Sequence, residues 1–91
     1  LFGAPPPEAR LVANPGCYPT ATLLPLVPLL RERLVEFDGI AVVGASGASG
    51  AGKGLADHLH FCNLVENVFP YKVGTHRHVP EIERHATFGA R

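Results

Sequence analysis

Apolar and polar positions change rhythm repeatedly along the chain, and each rhythm predicts an element. Arg10-Leu11-Val12-Ala13 is a short apolar run that predicts a strand, and Asn14-Pro15-Gly16 ends it with turn residues. From Cys17 onward, Leu23, Leu24, Val27, Leu30 and Leu34 keep a spacing of three and four, which predicts a helix. Pro19 suits its first turn, where a missing N–H costs nothing. Pro25 and Pro28 lie deeper and are expected to bend or interrupt it. Gly39-Ile40-Ala41-Val42-Val43-Gly44 is continuously apolar between glycines, the pattern of a short strand. Residues 44–54 form a loop of Gly, Ala and Ser, residues 55–64 predict a helical turn or two, and Val68 to Val73 predicts an extended segment. Glu81-Ile82-Glu83-Arg84-His85 reads as a helix start with acids in its first turn. Strands and helices alternate, so the expected fold class is α/β to α+β. Leu1 to Ala9 is proline-rich without apolar period and reads as a linker or a cut end.

Composition narrows the function classes. The 91 residues suffice for one small domain with a modest core. Formal net charge is zero and no Lys/Arg block is present, so neither nucleic acid nor an anionic membrane surface is an expected partner. The longest apolar run, residues 23–30, contains two prolines and falls well short of the roughly 20 residues that span a bilayer. No basic start, apolar stretch and small-residue cleavage site occur in order. Two cysteines, Cys17 and Cys62, do not make a secreted disulfide framework, so a reducing compartment, cytoplasmic or organellar, is expected.

Candidate chemistry concentrates at Cys17. It is expected where a strand ends, a Pro-Gly turn intervenes and a helix begins, a place that favours a thiolate. Gly16 is expected to let the backbone turn sharply and leave the sulfur accessible. Two readings stand open, a nucleophile or a buried structural cysteine. Cys62, among apolar neighbours, reads as structural. A nucleophilic thiol needs a proton handler, and His76-Arg77-His78 offers one, with Arg77 as a holder of an anionic group. A solvated basic turn is the competing reading. Gly47-Ala48-Ser49-Gly50-Ala51-Gly52-Lys53-Gly54 is a near match to a phosphate-binding loop, but Gly54 stands where the Mg²⁺-binding Ser/Thr belongs. A small-residue loop that lets backbone approach a ligand is the preferred reading, and a non-catalytic phosphate- or nucleotide-binding module using Gly47 to Lys53 is the alternative. His58, His60 and Cys62 alternate, yet their spacing fits no common zinc module, and no metal site is expected.

Three segments, in order, carry a family resemblance: Ala13-Asn14-Pro15-Gly16-Cys17-Tyr18-Pro19-Thr20-Ala21, then Ser46 to Lys53, then Pro70-Tyr71-Lys72-Val73-Gly74-Thr75-His76-Arg77-His78-Val79-Pro80-Glu81-Ile82-Glu83. Together they resemble N-acetyl-gamma-glutamyl-phosphate reductase, over roughly Arg10 to Arg84. The resemblance implies NADPH-dependent reduction of N-acetyl-glutamyl 5-phosphate to N-acetyl-glutamate 5-semialdehyde, in arginine biosynthesis, through a cysteine thioacyl intermediate. It implies Cys17 as nucleophile and His76 as acid/base, Ser46 and Gly47 beside the nicotinamide, and Asn14, Tyr71, Arg77 and His78 on the substrate side. A homo-oligomer is implied for the full-length enzyme. Residues 10–84 then correspond to a piece of the catalytic domain of a semialdehyde-dehydrogenase-like enzyme, without the full dinucleotide-binding domain. Residues 85–91 depart from the family's continuation and read as a divergent or truncated tail, and Pro25 stands where the family has a small non-proline residue. The chain alone is expected to be inactive and to leave apolar surface exposed.

Overall fold

The computed structural model describes residues 3–89; the first two and last two residues of the segments 1–9 and 85–91 lie outside them. The chain divides into two compact units, residues 1–42 with 75–91, and residues 43–74.

The first unit is a helix pair. Helix α1 spans Cys17–Arg31, and its buried face is Pro19, Thr22, Leu23, Val27 and Leu30. Leu23 and Val27 are fully excluded from solvent. The spacing of three and four thus places the predicted face correctly at three positions. Leu24 and Leu34 are exposed instead, Leu34 because it lies beyond the helix end. Of the two effects expected of Pro25 and Pro28, interruption does not occur: α1 runs through both. Both are exposed, as are Ala21 and Leu24, whose carbonyls lose the helical N–H each proline lacks, so water can reach those acceptors. Burial of Leu23, Val27 and Leu30, about 1.5–3 kcal/mol each, offsets a penalty of about 3 kcal/mol per internal proline. The helix closes with Arg33 N–H donating to Leu30 and Leu34 N–H donating to Leu29, around Arg33 at φ 55°. That is a Schellman ending with arginine where glycine is usual.

Helix α3 spans His78–Gly89 and packs on α1. It begins three residues before the predicted start, because Pro80 falls in the first turn and is tolerated there. Ile82 and Ala86, four apart, are half-buried. With so small a core, Leu23→Ala is expected to cost about 2–5 kcal/mol by urea denaturation, against about 0.5 kcal/mol or less for the half-exposed Leu24→Ala. Equal costs would contradict this packing.

The second unit, residues 43–74, holds two 3₁₀ turns, Ala48–Ala51 and Asp57–Leu59, and the short helix α2, Phe61–Leu64. Asn63 Nδ2 donates to the Asp57 carbonyl at 2.6 Å, Asn67 Nδ2 donates to Asn63 at 2.9 Å, and the His58 and Phe69 rings meet edge-on at 6.0 Å. None of residues 43–74 is buried.

The strand expectations are corrected. Among the described residues no strand forms, neither at 10–13 nor at 39–44, and Lys72 at φ 49° breaks the extended run 68–73. A strand exists only through a neighbour that takes up its N–H and C=O groups, and none of these runs meets one here. Their side chains stay exposed accordingly, Leu11 at 91% and Val43 at 98%. The expected apolar surface is therefore present.

Candidate functional site

Two helix starts meet in the first unit. Cys17 is the first residue of α1 and is exposed, which removes the buried-structural reading. The first N–H groups of any helix lack intrahelical acceptors, and Pro19 has none to offer, so the Cys17 and Tyr18 amides form the donor end of α1. Negative charge is favoured near such an end. Cys62 is exposed as well, in α2, so its structural reading is also corrected.

The start of α3 lies against this end. The Tyr18 ring meets His76 edge-on at 5.5 Å and His78 at 5.9 Å, and the two imidazoles stand 4.8 Å apart. His78 N–H donates to His76 Nδ1 at 3.1 Å. Gly16 N–H donates to Glu81 Oε1 at 3.1 Å, so one carboxylate in the first turn of α3 also ties down the cap of α1. His78 is buried, and its Nδ1 has no hydrogen-bond partner. Asn14, Pro15, Gly16, Arg77, His78 and Glu81 line a shallow, mostly polar cleft of about 340 Å³.

Gly16 corrects a detail of the sequence reading. Its backbone sits at φ −65°, ψ 160°, ordinary extended geometry open to any residue, so no sharp turn requires glycine. The requirement is steric. A Cβ there would fall on the His78 ring, 2.6 Å from Cε1 and 2.7 Å from Cδ2.

Of the residues expected at the site, Asn14, Cys17, His76, Arg77 and His78 share the first unit, and Asn14, Arg77 and His78 share its cleft. Ser46, Gly47 and Tyr71 belong to the second unit. There Ser46 Oγ donates to the Gly47 carbonyl at 3.2 Å, and a Cβ on Gly47 would meet only Ser49 Oγ, at 3.8 Å. Gly47 caps a four-residue 3₁₀ turn rather than an α-helix, and Gly52 at φ 82° ends it. A phosphate-binding loop needs the N-terminus of a following helix, so the nucleotide-module alternative loses its structural basis. His58, His60 and Cys62 fall in a 3₁₀ turn, a connector and α2, not on one strand face. Among the described residues no group of three His, Cys, Asp or Glu side chains gathers to hold a metal, and no helix is long and apolar enough to cross a membrane.

Tyr18 and Glu81 were not singled out by the sequence. Glu81 reads locally as a first-turn acid, and its partner is 65 residues away. Only its place inside the third motif segment signals it.

Cys17 thus opens a helix whose next residue, Tyr18, meets the two imidazoles at the start of a second helix. The chain belongs to the semialdehyde dehydrogenase family: the model of its dimerisation domain matches residues 17–90, from Cys17 onward. The resemblance carried by the three segments is borne out by N-acetyl-gamma-glutamyl-phosphate reductases. The chain is 50% identical to that of Oceanobacillus iheyensis over 78 residues (86% of this chain, 22% of that protein). It is 53% identical to that of Lactococcus lactis subsp. lactis over 75 residues (82% and 22%) and 57% identical to that of Geobacillus thermodenitrificans over 77 residues (85% and 22%). The chain thus spans about 22% of the length of these curated relatives. No solved structure matches it.

Proposed function

We propose that this chain carries the thioacyl chemistry of an NADPH-dependent reduction of N-acetyl-glutamyl 5-phosphate to the 5-semialdehyde, in arginine biosynthesis. The observation that carries the reading is Cys17, exposed on the first position of α1 with the His76 and His78 rings packed around the adjoining Tyr18. The Cys17 thiolate attacks the acyl carbon, a C–S bond forms, and the carbon–oxygen bond to phosphate breaks. The donor end of α1 steadies the sulfur's charge before attack and again when the aldehyde departs. His76 serves the acyl oxygen. Arg77, with its fixed fork of donors, suits an anionic group of the substrate, with Asn14 and His78 on the same cleft. Tyr71 is assigned to the substrate side by the motif alone.

The residues of the second unit fit a nicotinamide. Gly47 carries no side chain and a Cβ there would meet only Ser49 Oγ, at 3.8 Å, so a flat ring can lie against the Ser46–Gly47 backbone. When bound, NADPH supplies the hydride that reduces the thioester. A homo-oligomeric, cytoplasmic enzyme completes the reading, supported by the family's description as a dimerisation domain and by two free thiols.

The test is a chimera in which the matched residues of this chain replace their 77-residue counterpart in the Geobacillus thermodenitrificans relative. The chimera is expected to consume NADPH and release phosphate in equal amounts with N-acetyl-glutamyl phosphate, and to prefer it to the aminoadipyl homologue. The 91 residues alone are expected to give no turnover. A folded chimera without turnover, beside an active parent enzyme, would sink the reading.

A further inference from the structure

Gly50 lies inside the 3₁₀ turn Ala48–Ala51. Among the described glycines positive φ occurs at Gly39, Gly52 and Gly74, so the backbone at position 50 is open to any residue. What bars a side chain there is Ser46. A Cβ on Gly50 would stand 2.6 Å from Ser46 Oγ, while Ser46 Cβ lies at 4.0 Å. The hydroxyl alone is in the way, and it can leave by rotating to another staggered position.

The seat of that hydroxyl also fixes its polarity. Ser46 Oγ donates to the Gly47 carbonyl at 3.2 Å, and Gly50 N–H donates to the same oxygen at 3.0 Å. A carbonyl oxygen has two lone pairs, so this one is filled. The Ser46 proton is engaged, an assignment made from the hydrogen bond, and Oγ keeps lone pairs for a further donor. Ser46 is exposed, so a ligand can reach them. We propose that Gly50 is a positioning residue: its bare Cα seats the Ser46 hydroxyl over the turn as an acceptor, and the donor so selected is the carboxamide N–H of the nicotinamide. The seat follows from the geometry of the second unit; the carboxamide rests on the function proposed above. Gly50→Ala then acts on cofactor recognition and not on the fold, since only a serine rotor has to give way.

Two measurements separate the seat from its ligand. The first uses the full chain without nucleotide and reads the Ser46 rotamer from its Hα–Hβ couplings by NMR. One rotamer is expected to dominate in the parent and a different one in Gly50→Ala. The second is calorimetry on the chimera with NADP⁺ and with its acetylpyridine analogue, in which a methyl replaces the carboxamide NH₂. The chimera is expected to bind NADP⁺ roughly fivefold more tightly than the analogue, the magnitude of one neutral hydrogen bond. Ser46→Ala and Gly50→Ala should each erase that preference by weakening NADP⁺ alone. Because both act through one hydroxyl, adding Gly50→Ala to Ser46→Ala should change nothing further. The same Ser46 rotamer in the parent and Gly50→Ala overturns the seat. Equal weakening of both nucleotides in Gly50→Ala, the sign of a disturbed loop, overturns the carboxamide assignment. An unchanged preference for NADP⁺ does so too, and in a chimera that reduces the acyl phosphate it leaves the reductase reading standing. A chimera that binds neither nucleotide overturns the reductase reading and the carboxamide with it, while the couplings still decide the seat.

Discussion

Cys17→Ala, placed in the chimeric enzyme, is expected to lower acyl-phosphate reduction by about 10⁴-fold or more, while Cys62→Ala stays within about twofold. The two thiols are alike in exposure, so accessibility does not separate them. Their positions do. Cys17 begins a helix of 15 residues, whereas Cys62 is the second residue of a helix of four. A four-residue helix has scarcely any aligned dipole to offer. Cys17 also has two imidazoles packed around its neighbour Tyr18. Removing an exposed sulfur from the first helical position leaves the core untouched, so circular dichroism of Cys17→Ala should match the parent. Retained turnover in Cys17→Ala, or its loss in Cys62→Ala, would move the chemistry elsewhere.

Gly16→Ala is expected to be the most damaging one-methyl change in the first unit. Its Cβ would enter the His78 ring, and overpacking of this kind costs about 1–3 kcal/mol. A shift to relieve it would also pull Gly16 N–H from Glu81. The stabilisation that alanine brings by restricting the unfolded chain, about 0.4–1 kcal/mol, is too small to offset both. A double-mutant cycle isolates the cause. In a His78→Ala background the ring that the added methyl strikes is gone, so most of the cost should disappear, leaving a coupling energy of about 1–3 kcal/mol by urea denaturation. An unchanged cost in that background would mean that glycine is needed for its backbone, contrary to its φ of −65°.

Helix α1 was legible because its apolar spacing is local and Leu23, Val27 and Leu30 obey it. The Cys17 motif was legible for the same reason, being contiguous in sequence. What the sequence could not show depends on partners. The apolar runs at 10–13 and 39–44 have strand composition, but a strand is defined by its neighbour, and none pairs with them. Glycine at position 16 suggested a turn, and its purpose is visible only once the His78 ring lies beside it. The early start of α3 escaped because the cap is a histidine ring rather than a usual capping residue. Pro25 and Pro28 argued locally against a continuous helix, and packing of the opposite face overrode them.

The most direct measurement is intact-mass and peptide spectrometry of the chimera mixed with N-acetyl-glutamyl phosphate in the absence of NADPH. The account predicts one N-acetyl-glutamyl adduct per chain, mapped to Cys17, released by hydroxylamine as a thioester and absent from Cys17→Ala. An adduct on Cys62 or on a lysine, or none at Cys17 in a chimera that turns over normally, would contradict it.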